Sequence, residues 1–271
     1  MYRIGWFSTG RDEAARELLK TIWDAIRRGE LSVEVAYVFS NREPGEFRQS
    51  DLFFEQVRGY DIPLRCLSFR RFREQAGLSG PMANDAAEGW RLAYDRQVMA
   101  LVEGFRVDLC VLAGYMLIVG EEMCRRYTMI NLHPAAPGGP AGTWQEVVWQ
   151  LIGTRAQETG VMMHLAIPDL DHGPPVTYCT FPLRGDAFDA LWQKVDGRSV
   201  DEIKSEEGEK NALFQEIRRQ GLRREFPLIV ATIKAFSEGR LKVEQGRILS
   251  PTGEPISGYC LTKEIEGTLA Q

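Results

Sequence analysis

The chain has 271 residues, of which 44% are hydrophobic and 26% are charged, and its formal net charge at pH 7 is −5. This composition is typical of a globular protein and excludes a disordered chain, while the acidic balance disfavours a nucleic-acid partner, which needs a clustered basic surface. The longest apolar stretch, residues 109–120, is shorter than the roughly 20 residues of a membrane span, so we predict a cytoplasmic protein without a membrane partner.

Apolar spacing along the first half of the chain predicts strands that alternate with helices. A helix with Asp12 as its N-cap is predicted to end at Gly29, and a longer helix is predicted over residues 85–104. The predicted strands of this half are residues 2–7, 32–39, 63–67 and 107–112. The last of these is apolar throughout, which is typical of a central parallel strand buried on both faces.

The second half continues the same alternation. Short helices are predicted near residues 121–127 and 143–151, and the predicted strands are residues 128–132, 160–166 and 176–182. Residues 186–239 are predicted to be largely helical, interrupted by a charged segment, 196–210, that we interpret as a solvated insertion or connecting loop. The last thirty residues are predicted to contain a terminal hairpin.

This order of elements predicts an α/β fold with a doubly wound, mostly parallel sheet and helices on both faces. We assign a main domain to residues 1–243, with a possible insertion at 196–210, and a small C-terminal extension to residues 244–271. Ligands bind such sheets at the carboxyl ends of the strands, so the loops after the strands are the places to look for a site.

The loop after the first strand contains Ser8, Thr9, Gly10 and Arg11. Backbone N–H groups at the start of the following helix favour an anion, and Arg11 adds a guanidinium, so we predict an anion site here. The loop is neither a GxGxxG fingerprint nor a Walker loop, and a plain turn remains the alternative.

Two of the three histidines, His133 and His172, fall in loops at predicted strand ends. Asn131 and His133 are two positions apart in an extended strand, so their side chains project to the same side. A carboxamide donor beside an imidazole suits the stabilisation of an oxyanion and the transfer of a proton, and Asp171 is a candidate to hold the imidazole. An ordinary turn histidine is the alternative, and His164, within a predicted strand, is interpreted as structural.

The cysteines give no sign of a metal site. There is no CxxC pair in the sequence, and no His, Cys, Asp and Glu cluster has metal-ligand spacing, so we predict no metal and reduced thiols. The five cysteines are Cys66, Cys110, Cys124, Cys179 and Cys260.

Two motifs are specific when they occur in this order: Asn131-Leu132-His133-Pro134 and Asp169-Leu170-Asp171-His172-Gly173-Pro174. Supporting matches lie at residues 38–42, 94–96, 111–116 and 226–229. With these motifs the chain resembles the folate-dependent formyltransferases of the glycinamide ribonucleotide transformylase type. The resemblance covers about residues 1–243 and implies a Rossmann-like catalytic domain there.

The resemblance implies formyl transfer from 10-formyltetrahydrofolate to the amine of a small anionic substrate, with glycinamide ribonucleotide, from purine biosynthesis, first among the candidates. It implies that Asn131 and His133 stabilise the oxyanion and that Asp171 supports His133 and relays protons. It implies small-molecule substrates, no metal, and a monomer or homodimer. The folate-binding residues it implies are Leu112, Ala113, Gly114, Tyr115, Met116, Leu117, Ile118, Val119 and Asp169.

The acceptor side departs from the family's pattern. The first loop lacks the family's Ser-Gly-x-Gly-Ser-Asn sequence, and Leu222 stands where the family has a glutamate that meets the substrate amine. The open alternatives are therefore a formyltetrahydrofolate deformylase, a formyltransferase for a different amine, and a non-catalytic folate- or nucleotide-binding regulatory protein. A nucleotide-binding oxidoreductase is disfavoured because the first loop lacks GxGxxG.

Overall fold

A computed structural model describes residues 1–77, 87–169, 172–185 and 187–270. Its strands are short to medium in length, as is usual for α/β proteins. They are β1 Tyr2–Phe7, β2 Val33–Ser40, β3 Leu64–Cys66, β4 Leu109–Leu112, β5 Met129–His133, β6 Glu158–Leu165, β7 Pro175–Pro182, β8 Lys242–Glu244, β9 Arg247–Leu249 and β10 Tyr259–Cys260.

Helices separate most of these strands. They are α1 Glu13–Arg27, α2 Arg48–Gly59, α3 Phe69–Gln75, α4 Ala87–Val102, α5 Glu121–Arg126, α6 Trp144–Gly153, α7 Asp189–Lys194, α8 Val200–Glu206, α9 Ala212–Ser237 and α10 Thr262–Leu269, with a 3-10 turn at Gly208–Lys210. The longest of them, α9, contains Pro227.

Within the described residues, eight strands form one sheet in the order β10-β7-β6-β5-β4-β1-β2-β3, and β8 and β9 form a separate hairpin. β1 is parallel to both of its neighbours, β2 and β4, while β6 and β7 are antiparallel. The predicted α/β fold with a doubly wound, mostly parallel sheet is confirmed. The predicted terminal hairpin is confirmed by β8 and β9.

Two compact units make up the chain. The first comprises Met1–Asn131 and Leu165–Gly173. In its central strand, consecutive residues Trp6 and Phe7 are both fully buried, and because neighbouring side chains in a strand point to opposite faces, both faces of β1 are covered. On the Phe7 face, its ring packs edge-on against Tyr37 and Tyr115, each with centroids 5.8 Å away.

The second unit comprises Leu132–His164 and Pro174–Gln271. Its core lies between α6, α7 and α9, where Phe214 packs against Trp144 and Trp149 with centroid distances of 5.7 and 4.6 Å. The indole N–H of Trp192 donates to the Leu183 carbonyl at 2.6 Å, so this core leaves no unpaired polar group at Trp192.

The charged segment 196–210, predicted to be a solvated insertion or connecting loop, contains a helix. It contains α8, whose N-terminus is closed by a capping box between Ser199 and Glu202 and whose Ile203 is buried in the second unit's core. The helix forms because one apolar side chain is buried while the charges stay in water. The connecting loop is therefore wrong for the residues of α8, while the insertion at 196–210 stays a prediction.

The C-terminal residues also add to the main sheet. After the hairpin, β10 pairs in parallel with β7, and α10 follows it with Ile265 buried. Arg224 of α9 donates to Glu266 of α10 at 2.6 Å. The division at residue 243 stays a prediction.

Candidate active site

Thr9 joins the loops that follow three strands of the first unit. Its backbone N–H donates to the Gly114 carbonyl at 3.0 Å. Its hydroxyl donates to Asn41 Oδ1 at 2.7 Å and accepts the N–H of Met116 at 3.0 Å. Because Thr9 is only 2% exposed, these bonds fix the loops after β1, β2 and β4 to one another.

The backbone of this loop requires glycine at Gly10. The residue has φ of +62°, and a Cβ atom there would lie 2.7 Å from the Phe53 ring. Its N–H donates to Ser8 Oγ at 3.2 Å, immediately before the N-terminus of α1. The predicted loop Ser8–Arg11 is thus a tight, ordered strand-to-helix connection.

Arg42 lies beside this loop, although the sequence reasoning did not select it as a site residue. Its Nη1 donates to Ser50 Oγ at 3.1 Å, and the Ser50 hydroxyl donates to the Thr9 carbonyl at 3.0 Å. Its guanidinium stacks 4.5 Å from the centroid of Phe47. The signal in the sequence is that Arg42 follows the end of β2 after one residue, as Arg11 follows the end of β1 after three.

The two arginines act on each other electrostatically. Burial lowers the pKa of Arg42, Glu46 raises it, and the positive charge of Arg11 lowers it further. Arg11 itself is about one-third exposed and contacts Asp12, with Nε to Oδ2 at 3.2 Å. A bound anion would relieve the repulsion between the two guanidinium groups.

Thr9→Val is expected to lower the free energy of unfolding by about 1–3 kcal/mol, because the valine keeps the shape but leaves the Met116 N–H without its acceptor. Thr9→Ser keeps both hydrogen bonds and is expected to lose less than about 1 kcal/mol. Urea denaturation followed by circular dichroism measures both values. Equal stability of the two variants would show that the hydroxyl does not hold these loops.

The segment 112–119, predicted to bind folate, exposes few of its side chains. Met116 is 46% exposed, and Leu117 and Ile118 are partly exposed. The buried side chains of the segment are Leu112, Ala113, Tyr115 and Val119. Gly114 has φ of +69°, a left-handed turn that directs the backbone back toward Thr9. Any ligand here would therefore meet three apolar side chains and backbone groups.

His133 is the last residue of β5, and it is buried, with 3% exposure. Its Nε2 lies 2.9 Å from the Pro140 carbonyl oxygen. A carbonyl only accepts hydrogen bonds, so Nε2 carries a proton. The His164 ring of β6 packs edge-on to it with centroids 5.9 Å apart, a pairing that the sequence reasoning did not foresee.

Asn131 also lies in β5, two positions before His133. It is half-buried and pairs in parallel register with Leu112 of β4, the first residue of the segment 112–119. The predicted strand placement of Asn131 is thus confirmed, while β5 extends one residue further than predicted and includes His133.

Asp171, the third predicted catalytic residue, lies outside the described residues. Leu170 also lies outside them. Asp169 and His172 are described and exposed, with Oδ1 of the former 3.3 Å from Nδ1 of the latter. His172 N–H also donates to the Asp169 carbonyl at 3.3 Å. Asp169 therefore lies on the surface of the first unit.

The described residues show no metal site, no disulfide and no membrane-spanning helix. No group of three or more His, Cys, Asp or Glu residues there has an arrangement that would hold a metal ion. All five cysteines are free thiols. None of the described helices is both long enough and apolar enough to cross a membrane.

A sequence model described as "Formyl transferase" matches residues 13–185, which is more than half of the chain. The chain belongs to this family. It is therefore an enzyme that transfers formyl groups. A curated relative, the phosphoribosylglycinamide formyltransferase of Escherichia coli, is 24% identical over 245 residues, covering 87% of this chain and 92% of the relative.

Solved structures show the same fold. The phosphoribosylglycinamide formyltransferase of Coxiella burnetii has a TM-score of 0.66 and 19% identity, covering 96% of this chain and 98% of that one. A formyltetrahydrofolate deformylase from Pseudomonas syringae pv. tomato has a TM-score of 0.61 and 20% identity, covering 92% of this chain and 65% of that one. At such identities the likeness extends to the fold.

Proposed function

We propose that this formyl transferase moves the formyl group of 10-formyltetrahydrofolate to the amine of glycinamide ribonucleotide. The observation that carries the proposal is the match to a phosphoribosylglycinamide formyltransferase over 87% of this chain and 92% of the relative. Small molecules are its substrates. The predicted cytoplasmic location and the monomeric or homodimeric state remain predictions.

In the proposed reaction the acceptor nitrogen attacks the formyl carbon and forms a tetrahedral oxyanion. The Asn131 carboxamide donates to this oxygen, and the protonated imidazole of His133 stabilises its charge. Collapse breaks the bond between the formyl carbon and the folate nitrogen, while the proton lost by the amine passes to that nitrogen. Asp171 supports the imidazolium and the relay of this proton.

The hydrogen bond between His133 and Pro140 supports this role. Because Nε2 is engaged with the Pro140 carbonyl at 2.9 Å, the ring has a fixed orientation before any substrate binds. A pre-oriented imidazole of this kind is what general acid–base catalysis requires.

On the donor side, we assign the folate to the segment 112–119 and to Asp169. Met116, Leu117 and Ile118 offer apolar contacts for the pterin ring, and the backbone groups of the segment offer polar ones. Thr9 supports this assignment because it fixes the segment at Gly114 and Met116.

On the acceptor side, we assign the phosphate to the loop after β1 through Arg11, with Arg42 as a second cationic group. The other predicted residues of this loop, Ser8, Thr9 and Gly10, already donate their N–H groups within the protein, so they shape the loop and do not bind the phosphate. Arg11→Ala is expected to raise the KM of the acceptor about 10-fold and leave the KM of the folate nearly unchanged, because a well-formed charge-assisted bond contributes roughly 1.5–3 kcal/mol. Arg27→Ala, in the exposed last turn of α1, is the matched control. Steady-state kinetics with both substrates measures the effect.

If Arg11→Ala and Arg27→Ala have equal acceptor KM values, the loop after β1 does not bind the acceptor. The main support for a phosphorylated substrate would then be lost.

A second candidate is hydrolysis of the formyl group by water, as in a deformylase. Two observations favour it: the fold is shared with the deformylase of Pseudomonas syringae, and Leu222 provides no carboxylate for an amine. Incubation of the protein with 10-formyltetrahydrofolate, with and without glycinamide ribonucleotide, decides between them. Amine-dependent release of tetrahydrofolate supports transfer, amine-independent release supports hydrolysis, and binding without release supports a regulatory protein.

A further inference from the structure

Asp95, in α4, has a buried carboxylate that the proposed reaction does not use. The residue is 4% exposed, and its Oδ2 accepts the backbone N–H of Gly120 at 2.6 Å. Gly120 is the N-cap residue of α5 and supplies no side-chain cap of its own. The carboxylate thus holds the chain directly after the segment 112–119.

The approach of Asp95 to this backbone is close. A Cβ atom at position 120 would lie 2.7 Å from Asp95 Oδ2, so glycine is needed for the carboxylate to reach the N–H. The preceding residue of α4, Tyr94, donates its hydroxyl to the Leu67 carbonyl at 2.7 Å and is hydrogen-bonded to Tyr115. Two consecutive residues of α4 therefore hold this part of the chain.

The segment is consequently fixed at both ends by different elements. Near its start, the loop after β1 binds Gly114 and Met116 through Thr9. At its far end, α4 binds Gly120 through Asp95. The exposed Met116 and the partly exposed Leu117 and Ile118 lie in the chain between Gly114 and Gly120.

We propose that Asp95 is a positioning residue that holds the segment 112–119 in its folate-binding geometry through the Gly120 N–H. The inference rests on the proposed function, because it takes this segment to be the folate site. Asp95 acts through the backbone and does not touch the substrate.

The charge of Asp95 is set by its surroundings. Burial raises its pKa to about 6, the Gly120 hydrogen bond and Arg91 lower it, and Glu122 raises it. Tyr94, Tyr115 and Cys124 also face it, and its negative charge raises the pKa of each. Asp95 is therefore ionised at pH 7.5 and largely protonated at pH 5, where its hydrogen bond to Gly120 is weaker.

Asp95→Asn is the informative variant because asparagine keeps the acceptor oxygen and removes the charge. The pKa of Asp95 is higher in the folded state than in the unfolded state, so ionisation of its carboxyl group disfavours folding. The contribution of the protonated carboxyl group to the free energy of unfolding is present below the ordinary pKa and is lost as pH rises through about 6. The Asn variant lacks this loss and is expected to be at least as stable as the wild type at pH 7.5. Urea denaturation checks that it folds.

The test compares the KM for 10-formyltetrahydrofolate of the wild type and Asp95→Asn at pH 7.5 and pH 5. We expect the variant's KM to be about 5-fold higher at pH 7.5, the difference between a charge-assisted and a neutral hydrogen bond, and the two values to converge at pH 5. Asp95→Ala is expected to raise this KM about 10-fold or more at both pH values. Hydrogen exchange at pH 7.5 should show lost protection over residues 113–120 in both variants.

The outcomes separate the inference from the proposed function. If the wild type transfers formyl groups but Asp95→Asn has the wild-type KM at both pH values, Asp95 does not position the folate segment. If the wild type transfers no formyl group, the proposed function fails, and hydrogen exchange alone decides the positioning role. Unchanged protection of residues 113–120 in Asp95→Ala would then overturn it.

Discussion

Replacement of His133 by glutamine is expected to lower kcat for formyl transfer at least about 100-fold, the effect typical of the loss of a general acid–base group. The glutamine amide nitrogen reaches about as far as Nε2 of histidine and can donate to the Pro140 carbonyl, so the loop after β5 keeps its hydrogen-bond partner. It cannot take up a proton, so it cannot supply the positive charge beside the oxyanion. Steady-state kinetics at saturating concentrations of both substrates measures the change.

The control for this variant is a measurement that it is folded and as stable as the wild type. Circular dichroism and urea denaturation should give values close to those of the wild type, because the change conserves the buried hydrogen bond. A folded variant whose kcat lies within threefold of the wild type would remove His133 from the catalytic residues.

The sequence predicted a helix correctly where residues close in the chain mark its two ends. Asp12 caps α1 by accepting the N–H of Ala15 at 3.0 Å, and Gly29 follows the helix with φ of +74°, as the capping and stop signals predict. In contrast, α2 was missed. Its N-cap is Phe47, which makes no side-chain hydrogen bond, so the helix lacks a start signal in the sequence.

Tertiary contacts determine the elements that the sequence did not predict. β10 has two residues and forms because it pairs with Thr177 and Tyr178 of β7. The following helix, α10, begins after Leu261 without a side-chain cap, although the buried Ile265 packs its inner face. Such elements depend on residues about eighty positions away, which no local pattern reports.

The residues of the candidate site also divide into those that the sequence predicted and those that it did not. The spacing of Asn131 and His133 was visible in the sequence because both lie on one strand, where side chains alternate with a period of two. Arg42 and Asp95 were not selected, since their importance comes from Ser50 and Gly120, which the fold brings to them. A sequence pattern within one segment cannot reveal a hydrogen-bonding partner that lies in another segment.

Asn131→Ala is expected to lower kcat by roughly 10²–10³, the usual effect of removing one hydrogen-bond donor to an oxyanion. The KM values of folate and acceptor should change little, because the oxyanion exists only in the transition state and the intermediate. Asn131→Asp is the matched variant: it keeps the size of the side chain but places negative charge beside the oxyanion, so it should lose at least as much activity. Steady-state kinetics of the two folded variants gives kcat and both KM values.

The ratio of kcat to KM effects distinguishes two roles for Asn131. Asn131 pairs with Leu112, at the start of the segment 112–119, and a residue in this position could also bind folate. A folate-binding role predicts a higher KM for 10-formyltetrahydrofolate with kcat unchanged in Asn131→Ala, whereas an oxyanion donor predicts the reverse. If both variants keep kcat within threefold of the wild type, Asn131 does not stabilise the oxyanion, and the charge must be met by His133 and other groups.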